Sequence, residues 1–392
     1  MDLRHRSLIP MVLALMALAF AGAITAFAVM VDWSQLDDIP ARTDTRRGAA
    51  PPAPAPDGRD LLLGVQLHPL WNGVTPREAV RELDVARRAG ARVVRIDVGW
   101  ASLETAGKGR ISGDYARRLD AFLAGAASRG LAVIATLHET PCWASSAPAS
   151  RRQGCRGPWW TRGVAQYPPR RASDYADAAA YVARRWGRRL SALEIWNEPN
   201  VRRFLAAPDP VVSYARLVRA AYRPVKRTAP GLTVLAGSML RSDGDFLTGL
   251  YERGRILGSY DAISYHPYSD APGDPEAKHG AQRSVIAGTG WLHGIMQRAG
   301  DDRAVLWATE AGASTCSPQL NAECVSEEEQ AKRIAGYIEA LRRFPFVRAL
   351  VIYNLRDKGT DPANGEDGFG LVRRDLSPKP AFEAFRVAAA QR

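Results

Sequence analysis

Short apolar runs alternate with stretches of helical periodicity from residue 61 to residue 392. Each run has the length of a buried strand, and the segments between the runs repeat their apolar residues at helical spacing. Eight strands that alternate with about eight helices predict an α/β protein with a (β/α)8 TIM barrel rather than an open doubly wound sheet. The predicted strands are Leu62–Leu67, Val93–Val98, Leu131–Leu137, Ala192–Trp196, Leu232–Ala236, Ala262–Tyr265, Ala304–Ala308 and Ala349–Tyr353.

Two predicted helices in this region begin with a capping signal. Thr75 and Glu78 have the spacing of a capping box, with proline at the first helical position, and Gly90 marks the end of that helix. Ser326 and Glu329 form a second box ahead of another helical pattern. No Gly-x-Gly-x-x-Gly follows the first strand, so the usual support for a dinucleotide-binding fold is missing.

An uncharged, mostly apolar run occupies residues 8–31. A spanning helix needs about 20 such residues, whereas the apolar part of a cleavable signal has about 7–15. Arg4 and Arg6 precede the run and acidic residues follow it, so we expect residues 1–7 in the cytoplasm and the rest outside. The run is therefore predicted to be a transmembrane signal-anchor, although a small-residue pattern at 26–28 leaves open a cleaved signal and a secreted protein.

The following segment, residues 32–60, is rich in alanine and proline and includes Ala-Ala-Pro-Pro-Ala-Pro-Ala-Pro at 49–56. This composition cannot bury an apolar face and favours extended chain. We therefore expect a disordered stalk between the membrane and a single barrel domain at 61–392.

The four cysteines form two close pairs in predicted loops, Cys142 with Cys155 and Cys316 with Cys324. Two local disulfides are the simplest pairing in an oxidising compartment, which agrees with an exported domain. Neither pair has the Cys-x-x-Cys spacing of a zinc site.

The net charge is +12, from 53 Lys and Arg against 41 Asp and Glu. The first sixty residues carry six Arg and seven Asp, so the excess belongs to the predicted barrel. A nucleic-acid interface would use a compact basic run or a stripe with interleaved aromatics. The arginines are instead scattered over predicted helices of an exported domain, so we expect no nucleic-acid partner. Binding of an acidic glycan or of anionic lipid is the remaining hypothesis for this charge.

Two glutamates, Glu198 and Glu310, follow the fourth and seventh predicted strands directly. Barrel enzymes carry their active sites at the carboxyl ends of the strands, and these two strands face each other across the mouth. Two carboxylates placed in this way can flank one glycosidic bond. One must hold a proton for the leaving oxygen, and the other must stay ionised to attack the sugar. Arg95 near the ionised group would help to separate their pKa values.

The segments around these glutamates resemble the motifs of clan A retaining glycoside hydrolases. Residues 196–200 read Trp-Asn-Glu-Pro-Asn and residues 309–312 read Thr-Glu-Ala-Gly, and residues 264–268 and Arg95 also fit the clan. Over residues 61–390 the chain is most similar to family 39 enzymes and to cellulase-like enzymes of family 5. The resemblance implies a retaining O-glycosyl hydrolase that cleaves β-linked glycans by double displacement.

The resemblance also implies a role for each matching residue. Glu198 is the expected acid/base and Glu310 the expected nucleophile, while Asn197 holds the 2-hydroxyl of the sugar. His266 and Tyr268 are expected to orient and tune the nucleophile or the leaving group.

The expected substrate contacts extend beyond these motifs. The resemblance implies that His138 lines the subsite beside Arg95. Strand eight departs from the clan, since many members present a tryptophan there and this chain has Tyr353. Either Tyr353 forms the floor under the sugar in its place, or the floor comes from another part of the chain. Aromatic faces stack on pyranose rings, and the tryptophans of the predicted loops suggest several subsites: Trp71, Trp100, Trp143, Trp159 and Trp160.

Rival functions use the same barrel differently. A metal-dependent hydrolase normally has His-x-His on the first strand, where this chain has Gln66-Leu67-His68, so we expect no metal and no cofactor. A catalytically silent carbohydrate-binding barrel could keep both glutamates, and a transglycosylase would pass the glycosyl group to a sugar instead of water. The sequence favours a membrane-anchored, extracytoplasmic glycosidase that acts on a glycan or polysaccharide.

Overall fold

The computed structural model describes residues 61–269, 284–301, 303–321 and 324–391. The predictions of a cytoplasmic N-terminus at 1–7, a membrane segment at 8–31 and a stalk at 32–60 lie outside these residues. Within the described ranges, no helix is long and apolar enough to cross a bilayer.

Eight parallel strands form a closed barrel and follow the order of the sequence around it. The strands are β1 (Leu62–Leu67), β2 (Val93–Gly99), β3 (Ala132–His138), β4 (Ala192–Ile195), β5 (Thr233–Leu240), β6 (Ala262–His266), β7 (Leu306–Ala311) and β8 (Val347–Ile352). Pairing of β1 with β8 closes the barrel, with Leu62 opposite Ala349. The predicted (β/α)8 barrel is confirmed, and each predicted strand overlaps an observed one.

Ten helices lie in the described part of the chain, and the capping signals explain where two of them begin. They are α1 (Pro76–Arg88), α2 (Trp100–Leu103), α3 (Gly113–Ala127), α4 (Ala149–Arg152), α5 (Ala172–Trp186), α6 (Pro210–Thr228), α7 (Gly244–Glu252), α8 (Val285–Arg298), α9 (Glu327–Arg342) and α10 (Pro380–Ala390). The first predicted box is complete, because Thr75 and Glu78 each bond the other's backbone amide. In the second, Ser326 accepts from the amide of Glu329, whose carboxylate accepts from Arg333.

The interior of the barrel changes from apolar to polar along the strands. Near the amino ends of the strands, nine buried side chains form an apolar floor: Leu62, Val93, Ile134, Ala192, Leu235, Ala262, Trp307, Ala349 and Val351. Side chains alternate along a strand, so residues two positions further on point the same way. Five of these are polar and fully buried: Arg95, Thr136, Glu194, Ser264 and Thr309. The alternation therefore builds a polar layer just below the mouth of the barrel.

A long connection between β3 and α5 borders one side of the mouth. It contains α4 and three short 3-10 helices, Gln153–Cys155, Trp159–Arg162 and Val164–Gln166. A disulfide joins Cys142 to Cys155 within this connection, and a second joins Cys316 to Cys324 after β7. Both disulfides connect the pairs that the sequence spacing favours, and each ties a loop at the carboxyl end of the barrel.

Candidate active site

Two glutamate carboxyl groups meet at the mouth of the barrel. Glu198 follows the end of β4 by three residues, and Glu310 is the second-to-last residue of β7. One oxygen of each, together with a ring nitrogen of His266, lies within 4.8 Å of the others. Glu198 and Glu310 are 5% and 7% exposed, so both carboxyl groups are largely removed from water. The structure thus brings together the pair that the strand-end rule selects.

Arg95 lies directly beneath this pair and is fully buried. Its Nε donates to Oε2 of Glu194 at 2.8 Å, and its Nη1 donates to Oε1 of Gln66 at 3.0 Å. The same Nη1 donates to Oε1 of Glu310 at 2.5 Å, while Nη2 donates to Oδ1 of Asn197 at 2.8 Å. A guanidinium presents several donors in a rigid plane, so one side chain fixes the orientation of both Glu310 and Asn197.

The buried charges of the polar layer balance each other. Burial alone raises the pKa of Glu194, but the charges of Arg95 and His266 and the hydrogen bonds to the carboxylate together outweigh it, and the net pKa is lowered. Thr136 and Thr309 donate to the two oxygens of Glu194 at 2.7 and 2.8 Å. Burial opposes the charge of Arg95, yet Glu194 and Glu310 raise its pKa overall. The arginine and Glu194 therefore stay ionised at neutral pH.

Tyr268 and His266 contact the two facing carboxylates from β6 and the residues that follow it. The hydroxyl of Tyr268 donates to Oε2 of Glu310 at 2.9 Å, and burial together with that carboxylate raises the pKa of Tyr268. Nδ1 of His266 lies 2.9 Å from Oε1 of Glu198 and 3.6 Å from Oε2 of Glu310. Burial lowers the pKa of His266. The two carboxylates together raise it by more than burial lowers it, so the net shift is upward. The cationic imidazole is therefore favoured between them.

The backbone around Glu198 is held in an unusual conformation by the next loop. Glu198 has φ of 43°, in the left-handed region, and its amide donates to the carbonyl of Ser238 at 2.9 Å. The side chain of Asn200 accepts from the amide of Leu240 at 2.9 Å and donates to the Leu240 carbonyl and to Asp243. These bonds tie the Asn-Glu-Pro-Asn segment to the end of β5. Non-glycine residues in this region cost about 1–3 kcal/mol and cluster at functional sites.

A cleft of about 860 Å³ opens above the two carboxylates. Its volume lies within the range of about 300–1,000 Å³ that is typical of small-molecule sites. Predicted contact residues that line it include Asn197, His138, Tyr268 and Tyr353. Tyr353 packs edge-on against Phe369, with ring centroids 5.3 Å apart, in the position where we expected the floor of the sugar site. Both catalytic candidates therefore open onto a concave, partly aromatic surface.

Two of the predicted substrate contacts lie too deep to touch a sugar in this geometry. Arg95 and His266 are both fully buried under the carboxylates and do not line the cleft. Their bonds to Glu198 and Glu310 make them positioning residues. The sequence motif indicates that both belong to the site, whereas their depth depends on the packing of the whole barrel.

The predicted group of loop tryptophans does not come together in the cleft. Trp71 lines it, but Trp100, Trp143 and Trp159 pack elsewhere and Trp160 is 58% exposed to solvent. The indole of Trp143 donates to the backbone carbonyl just after α2 at 2.7 Å and packs edge-on against Trp100. Trp143 is therefore a structural residue of the β3–α5 connection, and we do not retain it as a substrate contact.

A second polar pair in the cleft is absent from the predicted site. Nδ1 of His68 lies 3.0 Å from Oδ2 of Asp97, and the imidazole stacks on Trp71 at 3.8 Å between ring centroids. Burial lowers the pKa of His68, while Asp97 keeps a lowered pKa despite burial because His68 bonds to it. Asp97 follows Arg95 by two positions, so strand alternation could have placed both side chains in the barrel.

Glu198, His266 and Glu310 are also the one set of potential metal ligands found in the described ranges. All three are buried, and each offers a single ligand atom. The guanidinium of Arg95 already contacts Glu310 at 2.5 Å. Its positive charge opposes a cation at the same carboxylate, so the donor set fits a pair of acid/base carboxyl groups better than a metal.

A (β/α)8 barrel with facing carboxyl groups after β4 and in β7 has the geometry that glycoside hydrolysis requires. Residues 57–343 match the family described as Cellulase (glycosyl hydrolase family 5), and the chain belongs to that family. No match was found among curated protein sequences. The predicted resemblance to clan A glycoside hydrolases is confirmed by this family match.

The chain is also similar to several solved structures. A family 39 glycoside hydrolase from the gut symbiont Bacteroides cellulosilyticus WH2 is 25% identical with a TM-score of 0.66, and the alignment covers 85% of this chain but 64% of that one. GH5_18 from Streptomyces cattleya, in complex with GlcNAc, is 20% identical with a TM-score of 0.60 and coverages of 84% and 80%. A monomeric β-xylosidase from Caulobacter crescentus CB15 is 18% identical with a TM-score of 0.60 and coverages of 87% and 69%. The last two likenesses show the barrel fold.

Proposed function

We propose that the protein is a retaining β-glycosidase in which Glu198 is the acid/base and Glu310 the nucleophile. The observation that carries this proposal is the short separation of the carboxyl groups, one oxygen of each lying within 4.8 Å of the other. Retaining glycosidases hold their carboxyl groups about 5–5.5 Å apart, whereas inverting enzymes leave about 6.5–9.5 Å for a water molecule.

The surroundings of each carboxyl group support the assignment of roles. Glu310 accepts from Arg95 and from Tyr268, and two such donors stabilise the ionised form that attack requires. Glu198 contacts His266 through one oxygen and lines the cleft, where it can exchange a proton with the leaving group and then with water. Asn197, held by Arg95, remains the proposed partner of the sugar 2-hydroxyl.

The reaction then has two displacements at the anomeric carbon. In the first, a carboxylate oxygen of Glu310 attacks that carbon while Glu198 transfers its proton to the departing oxygen, leaving a glycosyl ester on Glu310. In the second, Glu198 removes a proton from water, whose oxygen attacks the same carbon and releases Glu310. Two inversions return the sugar with its original β configuration.

The stereochemistry of the first product tests this proposal. Aryl β-glucosides, β-mannosides and β-xylosides are first screened for turnover, and the best substrate is followed by proton NMR from the first minute. We expect the β anomer to appear first and the α anomer to grow later by mutarotation. A 2-deoxy-2-fluoro glycoside should add one sugar mass to the peptide that carries Glu310. Initial release of the α anomer would disprove retention, and binding without turnover or an adduct would indicate a silent carbohydrate-binding barrel.

We also propose that the enzyme acts outside the cytoplasm on a glycan or polysaccharide, anchored to the membrane by residues 8–31 and separated from it by the stalk at 32–60. The length and charge flanks of the apolar run support this proposal. The two disulfides of the barrel also support it, because they persist in oxidising compartments.

A C-terminal alkaline phosphatase fusion tests the location, since that reporter needs an oxidising compartment to become active. We expect activity in the membrane fraction of expressing cells, and loss of activity when residues 1–31 are deleted. Active fusion in the soluble exported fraction would indicate that the segment is cleaved. Equal reporter activity with and without residues 1–31 would contradict export.

A further inference from the structure

Four basic side chains line the cleft, and two of them form no direct ion pair in the described part of the chain. They are Arg203, Arg241, Arg333 and Lys358. Lys358 contacts Glu366 at 3.0 Å, and Arg333 contacts Glu329 at 3.2 Å. For Arg203 and Arg241, the described residues provide no ion pair. The cleft is also lined by carboxylates, but none of those described lies within ion-pair distance of these two arginines.

Arg241 is the better placed of these two cations. It follows β5 directly, and its backbone amide donates to the carbonyl of His266 at 2.8 Å. His266 in turn contacts Glu198, the proposed acid. The preceding residue, Leu240, is bonded to Asn200 in the loop that carries Glu198. Arg241 is thus fixed to the same two segments that position the acid.

The Arg241 side chain also has an unmet bonding requirement. Its Nε is buried and has no hydrogen-bond partner among the described residues. Arg241 has φ of 63°, a left-handed conformation that non-glycine residues keep chiefly at functional sites. A buried donor without an acceptor is unfavourable, and a guanidinium is matched best by a carboxylate or an oxyanion of similar geometry. The unpaired donor at the edge of the cleft indicates that its missing partner belongs to a ligand.

Arg203 adds a second cation on the loop that carries the proposed acid. It follows Glu198 by five residues, and its guanidinium lies 4.7 Å from the centre of the Phe204 ring. The acid must contact the leaving group. We therefore assign Arg203, on the same loop, and Arg241, at the end of β5, to the leaving-group side of the cleft.

We propose that Arg241, assisted by Arg203, binds an anionic group on the leaving-group side of the glycan. That group is a uronate carboxylate or a sulfate ester. Both present negatively charged oxygens that can accept two hydrogen bonds from a guanidinium. The inference rests on the proposed function, because it uses Glu198 to define the side of the cleft. It names an acidic glycan as the substrate class, and it places the recognition in two cleft residues rather than in the overall positive charge.

Binding measurements on matched glycans test the inference without requiring turnover. Oligosaccharides from polygalacturonate, alginate and hyaluronan are each compared with their carboxyl-reduced forms by calorimetry on the full chain. Carrageenan oligosaccharides and their desulfated forms provide the sulfate arm. For at least one pair we expect the anionic form to bind at least about tenfold more tightly, and we expect 0.5 M NaCl to remove most of that difference.

Three variants assign the preference to the cleft. In Arg241→Gln the ratio of the two affinities should fall at least about fivefold toward one, and in Arg241→Lys part of it should return. The matched control is Arg188→Gln, an exposed arginine after α5 on the opposite face of the barrel, which removes the same charge and should keep the ratio. Thermal unfolding shows whether each variant is folded.

The outcomes separate this inference from the proposed function. A preference confined to the carboxylated pairs identifies a uronate, and one confined to the sulfated pair identifies a sulfate ester. Equal binding within every pair, or an unchanged ratio in folded Arg241→Gln, would overturn the inference while leaving a retaining glycosidase of neutral glycans intact. A preference that depends on Arg241 in a protein without turnover would keep the binding site and remove the catalytic proposal.

Discussion

Replacing Glu310 with glutamine is expected to lower kcat on the best aryl glycoside by at least about a thousandfold while the barrel stays folded. The amide keeps the shape of the side chain and can still contact Arg95 and Tyr268, but it cannot form the glycosyl ester. Initial rates and thermal unfolding of the variant and the wild type measure the two effects. The matched control is Glu252→Gln, an exposed carboxylate at the end of α7 with no ion pair in the described structure. It should keep wild-type rates.

Azide rescue distinguishes the roles of the two glutamates, because each alanine variant should give a glycosyl azide of a different configuration. With Glu310→Ala, azide enters the space of the missing nucleophile and should give an α-glycosyl azide. With Glu198→Ala, azide attacks the glycosyl ester formed on Glu310 and should give a β-glycosyl azide. An exchange of these products would reverse the two roles. Wild-type turnover by Glu310→Gln would remove Glu310 from the mechanism.

Replacing Arg95 with methionine is expected to destabilise the barrel by about 3–5 kcal/mol at pH 7, in addition to abolishing activity. The change leaves Glu194 and Glu310 without their buried cation and removes a hydrogen-bond partner from Gln66 and from Asn197. Urea unfolding followed by fluorescence gives the change in stability. An unchanged midpoint would show that the arginine does not stabilise the fold.

The pH dependence of this effect has a defined sign. In the wild type, the pKa of Glu194 is lowered, so its contribution to stability is present above its unfolded pKa and is lost as the pH falls through the lowered value. Without Arg95, burial is left as the main influence and would raise the pKa of Glu194 above its unfolded value. The stability deficit of Arg95→Met should therefore shrink as the pH falls from 7 toward 5. In the double variant Arg95→Met, Glu194→Gln, part of the lost stability at pH 7 should be recovered, because the unpaired buried carboxylate is gone.

Much of the fold follows from short-range patterns in the sequence. Buried strands of a parallel barrel are continuous apolar runs, which is why all eight were found within a few residues. The strand-end rule then selected Glu198 and Glu310 before any contact was known. The ends of β5 and β7 were less well predicted, because irregular pairing shifts their register near Ala236 and Ala308, and apolar runs carry no signal for such bulges.

The loops were harder to predict because an aromatic residue in a loop has no periodicity to give its direction. Trp143 and Trp71 looked alike in the sequence, yet one packs inside the β3–α5 connection and the other lines the cleft. The pairing of His68 with Asp97 joins β1 to β2 and depends on how the barrel closes. Side-chain depth, as at Arg95, likewise depends on the complete set of neighbours.

The proposed acid and nucleophile come from different halves of the barrel. Glu198 follows β4, the last strand of the first half, and Glu310 belongs to β7 in the second. Arg95, on β2, donates a hydrogen bond to Glu310, which lies 215 residues further along the chain in the other half. It also donates to Glu194 within its own half. A half barrel would therefore carry only one of the two proposed catalytic carboxyl groups. In this architecture, catalytic competence arises only when the two halves join.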